Sequence, residues 1–269
     1  MSGILPSDYG APLARSYRWS LAHGRFRFFR IREAQSDILL GVSPAAYTPE
    51  LALAAATALS EARRRIQLWL DAYPRAGASY APVPRPATPG APWTARPLLD
   101  MLDASDAAGV GPMAAVAGAI ADWVLDAVLT GLAERGAEAE AMAENGGDCA
   151  ILAWAPLRVA MAAPGSPFGD LAGLELPPGR WGVATSSGRL GHSASLGKAD
   201  ACTAVASGAA LADAWATAMA NRVGGPADVE DAVAQVERDN GPLAAFACTG
   251  GRAAYRGTFP LLAGGSVVA

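Results

Sequence analysis

A short apolar run, Cys202 to Ala206, is broken by Ser207-Gly208 and passes into a helix that ends near Asn221. This change from extended to helical spacing constrains the chain more than any other stretch. It sets Asp213 and Thr217 at i and i+4, so both side chains leave one face of the helix. A carboxylate and a hydroxyl are hard oxygen ligands suited to Mg²⁺, which takes few protein ligands and completes its shell with water and phosphate. Upstream lies a Gly/Ser/Thr loop with the hydroxyls of Thr185, Ser186 and Ser187, then Gly188, His192 and Lys198. Backbone N–H groups and hydroxyls in such a loop are what a phosphate requires. The expected site is therefore a Mg²⁺–phosphate pocket, with Asp213 and Thr217 on the metal and residues 185–188 and Lys198 around the phosphates. His192 is the candidate general base, or a hydrogen-bond donor to phosphate. The plainer readings are a helix-surface acid for Asp213, an ion pair with Asp200 for Lys198, and a structural role for His192.

At 269 residues the chain has ample material for a core, and with 52% hydrophobic and 17% charged residues it folds. A net charge of −4 argues against nucleic acid as a partner. Arg63-Arg64-Arg65 reads as the wet face of a helix. Arg25, Arg27, Arg30 and Arg32, interleaved with aromatics, read as the solvated face of a strand. Residues 1–20 lack the apolar core of a secretory signal. Asp122 and Asp126 interrupt the apolar run Val110–Leu132, which argues for a buried helix and against a membrane span. Cys149, Cys202 and Cys248 are far apart in apolar strands and read as reduced core residues. A cytoplasmic location is expected.

Residues 1–15 read as a loose leader and 16–269 as a single domain of two lobes. Three extended runs between Tyr17 and Val42 predict antiparallel strands. Thr48 caps a helix from Pro49 to about Tyr73, where Pro74 stops it. Residues 74–97 are Pro-rich, a linker or a lid over a site. A short helix follows from Pro97 to about Ser105, and another starts at Pro112 behind Gly109 and Gly111. Glu140–Glu144 and Cys149–Trp154 form a hairpin around Asn145, Gly146, Gly147 and Asp148. Two acids flanking that Asn-Gly-Gly exceed what a turn requires, so its tip joins the candidate ligand-binding residues. Residues 163–180 read as a second loop, 226–239 as one helix, and the C-terminus as a hairpin turning at Gly251. The expected fold is α+β, a mixed, largely antiparallel sheet in two lobes with helices packed outside and the site between lobes.

Several of these segments occur in a familiar order: Ser36-Asp37, GVGPMAAVAGAIAD at 109–122, ENGGD at 144–148, TSSGRLGHSASLGKAD at 185–200 and LADAWATAMAN at 211–221. Together they resemble the ApbE superfamily, and within it the branch known as UPF-0280. ApbE enzymes bind FAD and Mg²⁺ and transfer FMN through a phosphoester bond to a Thr or Ser of a target protein. Their A-D-A-x-x-T-A helix supplies metal ligands, and Ala212–Ala218 is similar to it, which implies that role for Asp213 and Thr217. Gly146-Gly147-Asp148 and Ser187-Gly188 are similar to further ApbE segments, and His192 stands near an ApbE histidine. Two places differ. Ala117–Asp122 (AGAIAD) stands where the transferases carry K-G-Y-A-V-D, and G-H-S-A-S-L-G replaces H-I-x-D-P-x-T-G.

The resemblance implies a protein that binds FAD, FMN or another phosphate-bearing ligand with Mg²⁺, as an FMN- or nucleotidyl-type transferase. The alternatives are a biosynthetic enzyme acting on another phosphorylated or pterin-like molecule, and a binding protein without turnover. A target protein and a homo-oligomer are left open as partners. A serine-hydrolase elbow at Gly191–Ser195 is set aside, because Ser195 occupies the required last glycine.

Overall fold

The computed structural model describes residues 24–86, 90–91, 94–161, 166, 168, 172–188, 197–238 and 240–263. The expected leader and the first extended run lie outside them. Helix α1, Pro49–Ala72, starts as its sequence dictates: Thr48 Oγ1 accepts the Leu51 N–H at 3.3 Å and proline occupies the first turn. Its buried residues, Leu51, Ala55, Ala58, Leu59, Ala62, Ile66 and Trp69, recur at three- and four-residue steps. The other helices are α2 (Leu98–Ala108), α3 (Val116–Ala133, after a 3-10 turn at Pro112–Ala115), α4 (Ala209–Arg222) and α5 (Val229–Val233). Gly109 ends α2 with φ 71°, a left-handed position that suits glycine.

Eight strands make the main sheet: β1 (Arg27–Glu33), β2 (Ser36–Val42), β3 (Ala141–Asn145), β4 (Asp148–Ala153), β7 (Gly179–Ser186), β8 (Ala201–Ala206), β9 (Ala244–Thr249) and β10 (Arg252–Gly257). They neighbour one another in that order, each pair antiparallel. A second sheet of three strands contains β5 (Leu157–Ala160), β6 (Ala172–Leu176) and β11 (Leu261–Ala263), in the order β11-β6-β5. The architecture is α+β, with helices on one face of the main sheet and the small sheet on the other. Ile38, Leu40 and Val42 pack with α1 and α3, whereas Met142, Ile151, Val183 and Phe246 pack with Leu157, Leu174 and Leu176.

Two expectations are corrected. The loop expected over 163–180 contains β6 and the start of β7; Leu174 and Leu176 alternate inward, but the run is too short between its breakers to stand out. The helix expected over 226–239 is three short pieces, 3-10 turns at Pro226–Asp228 and Ala234–Glu237 around α5. Asp228 turns its carboxylate back to the N–H groups of Gly224 and Gly225, both at 2.9 Å. Such local bonds compete with a continuing helix.

The apolar run of α3, long and hydrophobic enough by composition to cross a membrane, is packed against α1, α4 and the sheet. Two glycines let the start of α4 come close to its neighbours. A Cβ on Gly118 would stand 2.2 Å from Ala209 O, and one on Gly182 would stand 2.1 Å from Gly208 O. Both contacts hold the start of α4 tightly, one against α3 and the other against β7.

Candidate functional site

The residues before α3 and α4, Ala115 and Gly208, have no side chain able to cap a helix. Each helix is capped by an aspartate of the other. Asp213 Oδ2 on α4 accepts the Gly118 N–H at 3.0 Å, and the Ala117 N–H also bonds to this carboxylate. Asp122 Oδ2 on α3 accepts the Ala210 N–H at 3.0 Å, joined by that of Ala209. First-turn N–H groups have no partner within their own helix, and the dipole there favours an anion, so both contacts are stabilising. Burial pushes the half-buried Asp213 carboxyl up to about 7, against the downward pull of the Gly118 and Ala117 amides. Asp122 is also raised by burial, while the Ala210 and Ala209 amides and Arg180 pull it back.

The β3–β4 hairpin reaches the same place. Gly146 and Gly147 have φ of 78° and 108°, the two positive values a tight two-residue hairpin turn needs. Glu144 Oε1 accepts the Gly147 N–H at 2.7 Å and closes the tip. Asn145 Nδ2 donates to Ala117 O at 3.1 Å. Ala117 is therefore held by Asp213 through its N–H and by Asn145 through its carbonyl. Asp148 is the register partner of Asn145, and alternation puts both on the helix face with Ala143 and Ala150. Asn145 thus meets the first turn of α3 where Asp213 also binds, and Asp148 lies on the same face of the hairpin.

Strand β7 and helix α4 run in the same direction from the contact between Gly182 and Gly208–Ala209. Four residues of strand advance about 13 Å, and the eight residues from Ala209 to Thr217 advance about 12 Å. Ser186 is therefore level with Thr217. It shares the helix-facing side of β7 with Gly182 and Ala184. Both side chains are buried, and Ser186 Oγ has no hydrogen-bond partner among the described residues.

The hydroxyl cradle needs correcting. Thr185 and Ser186 are the last two residues of a strand, not of a loop, so they point to opposite faces. Thr185 Oγ1 bonds Thr203 Oγ1 at 2.9 Å on the face away from α4. Residues rich in Ser and Thr look like loop until a neighbouring strand pairs with them. Ser187 and Gly188 follow the strand, and the Gly188 N–H donates to Ala199 O at 3.0 Å. Lys198 is exposed. Its N–H donates to Val223 O at 2.7 Å, beyond the C-terminal end of α4. Val223 is ten residues past Asp213, about 15 Å along the axis. His192 lies outside the described residues.

The structure thus brings Asn145 and Asp213 to the first turn of α3, puts Asp148 on the same sheet face as Asn145 and Ser186 level with Thr217, and lets Gly146 and Gly147 shape the hairpin turn. It directs Thr185 elsewhere and starts Lys198 from the far end of α4. These residues fit Mg²⁺. Asp213 is a half-buried carboxylate that burial holds toward its neutral form against the pull of two backbone amides, so a bound cation would favour its charged form. No three of His, Cys, Asp and Glu converge among the described residues, so the ion would take its other ligands from water and phosphate. Sequence reasoning missed the reciprocal caps. Their one signal was two helices starting without a capping residue of their own.

A profile of the family described as AbpE bacteria matches residues 18–253. The chain is 36% identical over 199 residues to a UPF0280 protein of Methanoregula boonei, covering 72% of this chain and 76% of that one. It is 46% identical over 125 residues to a UPF0280 protein of Methanosphaerula palustris, 46% of this chain and 51% of the relative, so there it spans only about half the relative's length. The fold is similar to that of an ApbE protein from Thermotoga maritima (TM-score 0.53, 14% identity, 82% of this chain and 94% of that one). It is also similar to the flavin transferase ApbE from Vibrio cholerae (TM-score 0.51, 14% identity, 90% and 98%). At such identity these likenesses concern fold alone. On the family match and the relatives, the chain belongs to the ApbE-like family, in its UPF0280 branch.

Proposed function

We propose that the chain binds a flavin, FAD or FMN, or another phosphate-bearing ligand together with Mg²⁺, between the first turn of α3 and the face of α4. In this reading it is an FMN- or nucleotidyl-type transferase. The observation that supports it most is the meeting of Asp213 and Asn145 on Ala117 and Gly118, with Thr217 one turn further along α4 and Ser186 Oγ buried and unmet. Asp213 and Thr217 would hold the ion. Mg²⁺, when bound, supplies positive charge that offsets the charge of the phosphates. Ser186 would hydrogen-bond a phosphate oxygen, and Asn145 keeps Ala117 in place. His192 is the proposed base. A target hydroxyl would give it a proton as the oxygen attacks the flavin-side phosphorus, and the diphosphate bond would break to release the nucleotide. The acceptor would be a Thr or Ser of a target protein, encountered in the cytoplasm.

Ala117 stands where ApbE transferases carry a lysine, and its carbonyl is occupied by Asn145. That difference favours, as a second reading, a different phosphorylated or pterin-like ligand at the same metal-holding residues. Calorimetry with FAD, with and without Mg²⁺, tests the first reading, and native mass spectrometry of freshly purified protein separates the two. A retained flavin, or Mg²⁺-dependent FAD binding lost in Asp213→Asn, supports a flavin ligand. A retained mass of another kind supports the second reading. FAD binding indifferent to Mg²⁺ and to Asp213 refutes the metal role.

A further inference from the structure

Helix α4 is closed along most of its length and open along one stripe. From Ala212 to Ala220 only Asp213 and Thr217 keep measurable exposure, while Ala214, Trp215, Ala216 and Ala218 are at 0%. Asn221 continues that stripe: it follows Thr217 at i+4, is half-buried, and is the next polar residue of the helix. Asp213, Thr217 and Asn221 thus span two turns, about 12 Å along the axis. A Mg²⁺ ion held by Asp213 and Thr217 takes up the first turn and leaves the second to the rest of a ligand. Arg222 leaves another side of the helix, its Nη1 donating back to Ala218 O at 2.7 Å.

The second turn differs from the first in what it offers. Its wall is backbone on backbone: a Cβ on Gly188 would stand 2.2 Å from Gly197 O, and one on Gly197 would stand 1.8 Å from Ala220 O. The Gly188 N–H is spent on Ala199 O, and the Lys198 N–H on Val223 O. This is also the C-terminal end of α4, where the helix dipole is negative. Spent amides and a negative dipole oppose a phosphate at this level and favour a neutral polar group. Asn221 already has a partner within the chain, and a carboxamide with two N–H donors and an acceptor oxygen has bonds to spare. A hydroxyl, donor and acceptor in one group, matches it. Asn221 stands about 6 Å beyond Thr217 along the axis, a step that the carbon chain of a sugar phosphate spans.

We propose that Asn221 is a further ligand-binding residue, whose carboxamide hydrogen-bonds a hydroxyl of the sugar or sugar-alcohol chain carrying the phosphate held at Asp213 and Thr217. This role rests on the metal–phosphate reading above. It narrows the ligand to a ribosyl or ribityl phosphate, against one whose phosphate hangs on a bare methylene. The test is calorimetry on the full chain with Mg²⁺ and three probes: FAD, ADP and inorganic pyrophosphate. Wild type should bind at least one of the two sugar-bearing probes. Asn221→Ala should weaken that probe about three- to tenfold, the size of one neutral hydrogen bond, and leave pyrophosphate within about twofold. Alanine suits a helix, so circular dichroism and Tm should stay near wild type. Asn221→Asp still accepts from a hydroxyl but repels a phosphate, so it should hold the sugar-bearing probe more tightly than Asn221→Ala does. Unchanged affinity in a folded Asn221→Ala, an equal loss for pyrophosphate, or Asn221→Asp binding more weakly than Asn221→Ala overturns the role of Asn221. Wild type that binds pyrophosphate but neither FAD nor ADP overturns it too, and leaves the metal–phosphate site standing. Binding of none of the three overturns that site and this role with it.

Discussion

Asp213 and Asp122 do the same structural task in mirror image, yet their surroundings differ. Each closes the first turn of the other's helix with one carboxylate oxygen at 3.0 Å from an amide. Asp213 shares the first turn of α3 with Asn145, lies one helical turn from Thr217, and is held by the Gly118 and Ala117 amides. Beside Asp122 stands Arg180, with Arg85 and Arg96 of the Pro-rich connection on the wall of the same open cavity. Identical cap geometry is thus compatible with two different surroundings. What separates them is the charge supplied by the third element to arrive, the β3–β4 hairpin in one case and the Pro-rich connection with β7 in the other.

The sharpest way to break this comparison is to remove charge from each aspartate while keeping an oxygen for the cap. Asp213→Asn should weaken Mg²⁺-dependent ligand binding by at least the roughly 10–100-fold typical of losses around a metal site. Asp122→Asn should leave it within a few-fold, and equal losses in the two variants would show that the helix crossing, not Asp213, governs binding. Next in size is the crossing itself. Gly118→Ala puts a methyl against the backbone of Ala209, which cannot swing away, and should cost about 1–3 kcal/mol in urea unfolding. A cost near zero would mean that α3 and α4 are not in close contact there.

Acidity sharpens the contrast further. Without Mg²⁺, Asp213 titrates near 7 in the folded chain against an ordinary 3.8, so the folded state binds the extra proton between those values. Stability should therefore fall as pH rises from 3.8 to about 7, and Asp213→Asn should flatten that slope. Glu140 behaves oppositely: the Arg25 guanidinium, bonded to it at 2.6 and 3.0 Å, holds it below its ordinary 4.5. Its contribution is present above 4.5 and is lost as pH falls through the folded value, a loss that Glu140→Gln should remove. Urea midpoints across pH read both slopes. The smallest effect is expected at Ser186. With no ligand, Ser186→Ala removes an unmet buried hydroxyl and should leave stability unchanged or raise it by about 1 kcal/mol. With ligand and Mg²⁺ present, it should lower affinity several-fold. Destabilisation of the ligand-free chain would indicate that the hydroxyl is already bonded.

Much of the frame was legible along the chain. Thr48-Pro49 marked the start of α1, the glycine pair marked the β3–β4 turn, and Ser207-Gly208 marked the passage from β8 to α4, each through local backbone chemistry. The motif order also led to the family. The hydroxyl run at 185–187 misled, because adjacent residues share a wall in a loop and separate to two faces in a strand. That difference depends on pairing with β8, which no local signal carries.

Local propensity and spacing were sufficient to put Asp213 and Thr217 on one helix face and Asn145 beside a hairpin tip, since each depends on residues a few positions apart. Only the tertiary structure decided that Asp213 grips the start of α3, that Asp122 returns the favour at α4, and that Ser186 alone of its strand-end pair faces Thr217. Those contacts join residues 88 and 95 positions apart in the capping pairs. They exist because Gly118 and Gly182 let the start of α4 come against α3 and β7, and an open chain has no means of expressing that approach.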